Sequence, residues 1–277
     1  MSTFNEDAID LSASPGFKVD VEDLGDLYVG SDLEALLALP PAPPPGSFES
    51  FDGGGIAMRA GVQPGTCNLV AQSEETPFRA VALLRINMPV GPDLRGTAFF
   101  IKPGFLLTAG HNVYLGAVNP TSIDVMTAFN GQTVTQAFRC TTFRAAPEYR
   151  QNPVAANDYG MIFLGRDLGV GNFGVVPDTG SVPSSLPVEL ISYPSADLRQ
   201  HDCVGVVHHV ASDTIRYSIP TDGGSSGGPV FLSKGDPRVV AIHVKGPFGN
   251  LNEGTRLTDR KIAQIKDWIA NGPGAGP

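Results

Sequence analysis

Turns govern this chain. Short runs rich in Val, Ile, Leu and Phe follow one another, and Gly or Pro interrupts them every 8 to 15 residues or so. Such runs are too short for stable helices and have the length of strands. They fall at 78–86, 96–102, 105–109, 122–128, 133–143, 160–164, 188–193, 203–210, 214–219, 228–232 and 238–244. The pair 96–102 and 105–109 reads as a hairpin across Pro103-Gly104. The 33 glycines and 24 prolines supply the turns, and the pattern predicts an all-β barrel or sandwich. One helix closes the chain over 260–269, with Ile262, Ile265, Trp268 and Ile269 at helical spacing. Trp268, the sole tryptophan, is expected to anchor it in the core.

The charge is lopsided. Residues 1–66 carry 11 acidic and 2 basic side chains, whereas 67–277 carry 17 of each, so the net charge of −9 sits wholly in the first quarter. That quarter reads as a flexible acidic extension: a solvated tail, a pro-segment, or a docking segment for a basic surface. Within it, Ser31 to Glu34 forms a capping box for a short helix that stops at Pro40, and Pro40 to Pro45 is a polyproline spacer. The folded domain is expected to begin between about 56 and 75, giving an N-terminal segment 1–66 and a domain 67–277. A balanced domain without a basic patch argues against nucleic-acid binding. No apolar run approaches the roughly 20 residues of a membrane span, so no membrane partner is expected. The first residues lack a basic start and an apolar stretch, so no secretory signal peptide is read there. The chain as given is expected to be cytoplasmic or exported by another route.

Three segments carry the chemistry. They are Leu107-Thr108-Ala109-Gly110-His111, then Asn157-Asp158-Tyr159-Gly160-Met161-Ile162, then Gly224-Ser225-Ser226-Gly227-Gly228-Pro229. A histidine follows an apolar run, an aspartate precedes one, and a serine sits in a glycine-rich turn. A serine hydroxyl needs a base within hydrogen-bond reach. His111 is the candidate base, and Asp158 would orient it and stabilise its charged form. The glycines let the chain turn so that the N–H groups of Gly224 and Ser226 face one point, an expected oxyanion hole. The stretch 166–186 is rich in Gly and Pro and lacks periodicity, so the sequence divides there. His111 and Asp158 lie before it and Ser226 after it, which places the three at a cleft between two barrels if they meet. The expected fold is therefore all-β, two antiparallel β-barrels with a C-terminal helix.

Cys67, Cys140 and Cys203 show no metal-ligand spacing, so no metal site is expected from them. An odd count leaves at least one thiol free or bonded to another chain, and free buried cysteines are the simplest expectation. His201, His208 and His209 lie in no motif.

The three segments resemble the signatures of the chymotrypsin/trypsin superfamily over about 75 to 270. The resemblance implies a double β-barrel with a C-terminal helix and a cofactor-free serine endopeptidase that works through an acyl-enzyme on protein or peptide substrates. A monomer is expected. Within that superfamily the chain is similar to bacterial-type glutamyl endopeptidases. Thr221 and His243 match the positions that bind an acidic substrate side chain there, and Tyr193-Pro194 and Gly254-Thr255-Arg256-Leu257 also resemble that group. Cleavage after Glu or Asp is then expected. A hydroxyl beside a histidine that can carry charge suits a carboxylate. Asp222 departs from that logic, and Lys245 could offset it. Substrate backbone would add as a strand along Val244-Lys245-Gly246. Ser225 stands where trypsin-like zymogens carry the aspartate that pairs with the new N-terminus, so that activation device is not expected. Two other readings stay open: an inactive protease-fold binding module, and a serine esterase, since Gly224 to Gly228 also satisfies Gly-x-Ser-x-Gly.

Overall fold

The computed structural model describes residues 67–272, apart from 117, 132, 172, 176–181, 183–184, 233–237 and 249. The helix expected at Ser31 and the polyproline spacer lie outside the described residues.

Strands dominate. One sheet is built from β2 (Val81–Asn87), β3 (Leu94–Lys102), β4 (Phe105–Thr108), β5 (Ser122–Thr127), β6 (Gln136–Cys140), β7 (Phe143–Ala145) and β8 (Gly160–Phe163). Its order is β6-β5-β2-β3-β4-β8-β7, a half-barrel whose two edge strands are joined by only Thr141 and Thr142. The second sheet holds β1 (Cys67–Leu69), β9 (Gly174–Val175), β10 (Pro187–Ser192), β11 (His201–Val210), β12 (Thr214–Tyr217), β13 (Pro229–Phe231), β14 (Arg238–Phe248) and β15 (Leu251–Arg256). Here β10-β13-β14-β15-β12 run side by side and β11 pairs with both β10 and β12, so six strands close into a barrel. The fold is all-β and chymotrypsin-like.

Several details depart from the sequence reading. The run 133–143 is two strands, because the chain breaks between Cys140 and Phe143. Residues 78–80 form a 3-10 turn before β2 rather than its start. β15, β9 and β1 were not visible as strands, and helix α1 (Pro147–Gln151) was not foreseen. The hairpin across Pro103-Gly104 is present, with Lys102 opposite Phe105.

The expectation of free cysteines is overturned for two of the three. Cys67 and Cys203 form a disulfide. The physical reason is register: β1 pairs with β11 so that Cys67 faces Cys203 directly. A strand at the start of the described residues is thereby fastened to the second barrel. Cys140 is free and buried, and its thiol donates to the carbonyl oxygens of Thr142 and Phe163.

In β12 the alternation is plain, with Ile215 and Tyr217 buried and Thr214 and Arg216 only half so. β3 is buried on both faces from Arg95 to Ile101, because one face lines the half-barrel and the other meets the second barrel. Thr97 shows the consequence. It is fully buried, donates its Oγ1 proton to Gly224 O at 2.8 Å, and accepts the Tyr193 N–H at 3.0 Å. Helix α2 (Asp259–Asn271) buries Ile262, Ile265 and Trp268. Trp268 packs on Tyr159, centroids 5.8 Å apart, directly behind Asp158. Lys261 is buried too, tied to Asp213 Oδ1 at 2.8 Å and Arg256 O at 3.0 Å, so its charge is paired rather than stranded.

Candidate active site

Strand pairing brings His111 to Asp158. β4 and β8 are antiparallel with Thr108 opposite Gly160. His111 lies three residues past that pair in a 3-10 turn, Gly110–Asn112, and Asp158 lies two residues before it. Asp158 Oδ2 is 2.7 Å from His111 Nδ1, and Oδ1 accepts the His111 main-chain N–H at 2.9 Å. Both oxygens of one carboxylate therefore hold one histidine, fixing its ring and leaving Nε2 as the outward nitrogen. Burial by itself lowers the pKa of His111, but the charge of Asp158 and its hydrogen bond outweigh this and leave it raised above 6.5. Thr255 supports the aspartate from behind by donating to Asp158 O at 2.9 Å.

The Ser226 turn is clamped between both sheets. Its carbonyl accepts the Thr97 N–H at 2.8 Å and Asn112 Nδ2 at 3.0 Å. Asn112 follows His111 directly, so one short segment holds both the histidine and the serine turn. Gly227 N–H reaches His243 O at 2.7 Å, and His243 N–H reaches Gly228 O at 2.9 Å. Gly224 and Gly227 take φ of +87° and +93°, a left-handed backbone that strains other residues. The tighter position is Gly227, where a Cβ would stand 2.0 Å from Thr97 O. The N–H groups of Gly224 and Ser226 have no acceptor among the described residues, whereas the intervening Ser225 N–H bonds to Asp222 O at 3.1 Å. Ser225 is fully buried with its Oγ 3.2 Å from Ser192 Oγ, a neutral pair. The Ser226 hydroxyl makes no hydrogen bond to His111 or any other described residue.

Thr221 donates to Asn252 Oδ1 at 3.1 Å. Asp222 Oδ1 accepts the N–H of Gly223 at 2.7 Å. His243 is buried, and its Nδ1 is 2.7 Å from Tyr217 Oη. Burial, reinforced by the charge of His111, pushes its pKa down to about 3. The histidine expected to carry charge is thus neutral at neutral pH, because its ring has left water and no carboxylate is bonded to it among the described residues. β13 pairs with β14 only as far as Pro229 opposite Ile242, so Val244-Lys245-Gly246 runs on past the end of β13. His201 pairs with Asp197 at 3.0 Å and His208 with Ser218 Oγ at 2.9 Å, both away from this site. Sequence reasoning missed Thr97, Asn112, Tyr217 and Asn252, and it named Thr255 only within a resembling segment, without its bond to Asp158. The only signal for Asn112 was adjacency to His111.

A family model described as a trypsin-like peptidase domain matches residues 96–242, which contain all three segments. The chain belongs to the trypsin-like peptidase family. A glutamyl endopeptidase of Bacillus licheniformis is 27% identical over 216 residues, covering 72% of this chain and 66% of that protein. A Bacillus subtilis protein named extracellular metalloprotease is 26% identical over the same shares. This trypsin-like chain thus spans just under two thirds of the length of those curated relatives. Among its described residues, no group of three or more His, Cys, Asp or Glu side chains could hold a metal ion. A solved Glu endopeptidase superposes with a TM-score of 0.66 at 21% identity, over 74% of this chain and 96% of that one. The protease Anisep of Arthrobacter nicotinovorans follows with 0.61 at 17%, over 71% and 98%. These structures share the fold.

Proposed function

We propose that the chain is a serine endopeptidase using His111, Asp158 and Ser226, with a preference for cutting after Glu or Asp. The observation that carries this is the two-point grip of Asp158 on His111, 2.7 and 2.9 Å, beside a serine turn anchored through Asn112. His111 Nε2 takes the proton of Ser226 as Oγ attacks the scissile carbonyl carbon. The N–H groups of Gly224 and Ser226 donate to the oxyanion, and losing one such donor typically costs roughly a hundred- to a thousandfold in rate. The imidazolium, steadied by Asp158, protonates the leaving amine and leaves an acyl-Ser226 ester. Water, deprotonated by His111, then releases the acid. Thr221 and His243 are the proposed ligands of the acidic side chain, and Val244-Lys245-Gly246 the edge along which substrate backbone adds.

Residues 1–66 are proposed as a pro-segment ahead of a protease domain at 67–277. Glu74-Glu75 is the proposed self-cleavage point by this specificity. The disulfide at Cys67 changes what such a cut does, since residues 1–74 would stay attached through Cys203. A disulfide of this kind also suits work in oxidising surroundings. The test is cleavage-site mapping: a mixed peptide pool is digested by wild type and by Ser226→Ala, and the cuts are read by mass spectrometry. Cuts after Glu or Asp that vanish in the variant are expected. Cuts after other residues would discard the acidic preference. An inert chain that also fails to take a serine-directed fluorophosphonate, even when started at Cys67, would favour the binding module.

A further inference from the structure

Resting on the reading of His243 as a substrate ligand, we propose that Tyr217 is a positioning residue that fixes the proton of His243 on Nε2. His243 then meets an acidic side chain as a neutral hydrogen-bond donor and not as a counter-charge.

The argument starts from strand order. Tyr217 is on β12 and His243 on β14, with β15 between them. The tyrosine ring spans that intervening strand at Gly254, which faces His243 in register. A Cβ on Gly254 would lie 3.2 Å from Tyr217 Cε1, so the bare backbone there makes the passage possible. The ring centroids of Tyr217 and His243 are 6.1 Å apart. Tyr217 Oη and His243 Nδ1 are 2.7 Å apart, and both side chains are buried.

Proton counting settles the direction. Burial, then the nearby charge of Glu253, pushes the Tyr217 hydroxyl well above 10, so it keeps its proton. A buried O–H needs an acceptor. Among the described residues, the one acceptor bonded to Tyr217 Oη is His243 Nδ1. Nδ1 must therefore be the unprotonated nitrogen, and in a neutral ring the hydrogen lies on Nε2. Nε2 has no partner among the described residues and is the ring atom left for a ligand. Protonating Nδ1 as well would set two donors face to face.

A neutral His243 also suits the proposed chemistry. Its main chain is bonded to Gly227 and Gly228, next to Ser226, and the charge of His111 reaches it. His111 becomes a cation as Ser226 attacks. A second cation beside it would oppose that step.

Two measurements test this on the full chain. Long-range proton–nitrogen NMR of histidine-labelled Ser226→Ala, with His243 assigned by comparison with His243→Gln, reads the tautomer directly at pH 7. A bare Nδ1 and a protonated Nε2 are expected, whereas an Nδ1–H or an imidazolium overturns the proposal. The second is kcat/KM on paired peptides differing only in Glu or Gln before the cut, normalised to fluorophosphonate-titrated active sites. Tyr217→Phe should lose on the order of 10- to 100-fold on the Glu peptide through KM and under about threefold on the Gln peptide. An unchanged Glu:Gln ratio in that variant overturns the positioning role. If wild type shows no preference for Glu over Gln, the acidic-specificity reading fails, while the NMR result still decides the tautomer. Should Tyr217→Phe not fold, the NMR measurement needs no change at Tyr217 and decides alone.

Discussion

Asp158→Asn removes one charge and leaves the shape of the site intact, so its effect can be worked from the hydrogen bonds. Asp158 accepts twice from His111, at Nδ1 and at the main-chain N–H, 2.7 and 2.9 Å away. An asparagine has one acceptor and one donor end. If its oxygen faced Nδ1, its NH2 would meet the His111 main-chain N–H, and a buried donor left without an acceptor costs about 1–3 kcal/mol. The amide therefore turns its oxygen to the main chain and its NH2 to Nδ1. That forces Nδ1 to accept and puts the ring proton on Nε2, the atom proposed to receive the proton of Ser226. The expected loss in kcat is about 10⁴-fold, or about 5.5 kcal/mol of transition-state stabilisation. The pH profile moves as well. In the wild type, activity should fall as His111 protonates at a pKa raised above 6.5 by Asp158. Without that carboxylate, burial dominates and the acid limb shifts to lower pH. Hydrolysis of a Glu peptide by both proteins across pH 4–9, with protein quality checked by circular dichroism, reads both effects. A loss under tenfold, or an acid limb that moves up, would refute the assignment of Asp158.

Three further outcomes follow from the geometry, all read by urea denaturation in a Ser226→Ala background to prevent self-digestion. Gly227→Ala should destabilise by at least about 3 kcal/mol, because its Cβ would stand 2.0 Å from Thr97 O at a φ of +93°. Gly246→Ala, with nothing within 4 Å, should stay within about 1 kcal/mol. Equal effects would show that the clamp is soft. Reducing the Cys67–Cys203 bond, which spans a separation of 136 residues, should lower stability by up to about 5 kcal/mol. In the active chain, and read on gels instead, a fragment self-cleaved at Glu74-Glu75 should separate only under reducing conditions. His243 gives a pH signature whose sign is fixed by a folded pKa of about 3. Between roughly pH 6.5 and that value the unfolded chain holds a proton the folded one lacks, so stability falls as pH falls, by about 1.4 kcal/mol per unit. His243→Gln should flatten that slope by one proton, and an unchanged slope would contradict a buried neutral ring.

What the sequence showed and what it hid divide along one physical line. Turn chemistry and apolar periodicity are local, so the all-β fold, the Pro103-Gly104 hairpin and the closing helix with Trp268 were legible. Pairing partners are not local. Nothing near His111 or Asp158 states that Thr108 faces Gly160, and nothing near Cys67 points to a partner 136 residues away. The same holds for Thr97 and Asn112, ordinary residues until the fold sets them against the Ser226 carbonyl. The instructive failure is β15. Leu251-Asn252-Glu253-Gly254-Thr255-Arg256 has little of the apolar alternation that marks a strand, yet it is paired on both sides. Its unsuitable residues are its working parts. Asn252 accepts from Thr221, Gly254 lets Tyr217 reach His243, and Thr255 holds the carbonyl of Asp158. A strand flanked by well-formed neighbours can carry such residues, since its pairing is supported by the barrel rather than by its own propensity. The place where local rules fail is therefore the place where substrate side chain, general base and barrel wall are proposed to meet, which is where a functional constraint would override them.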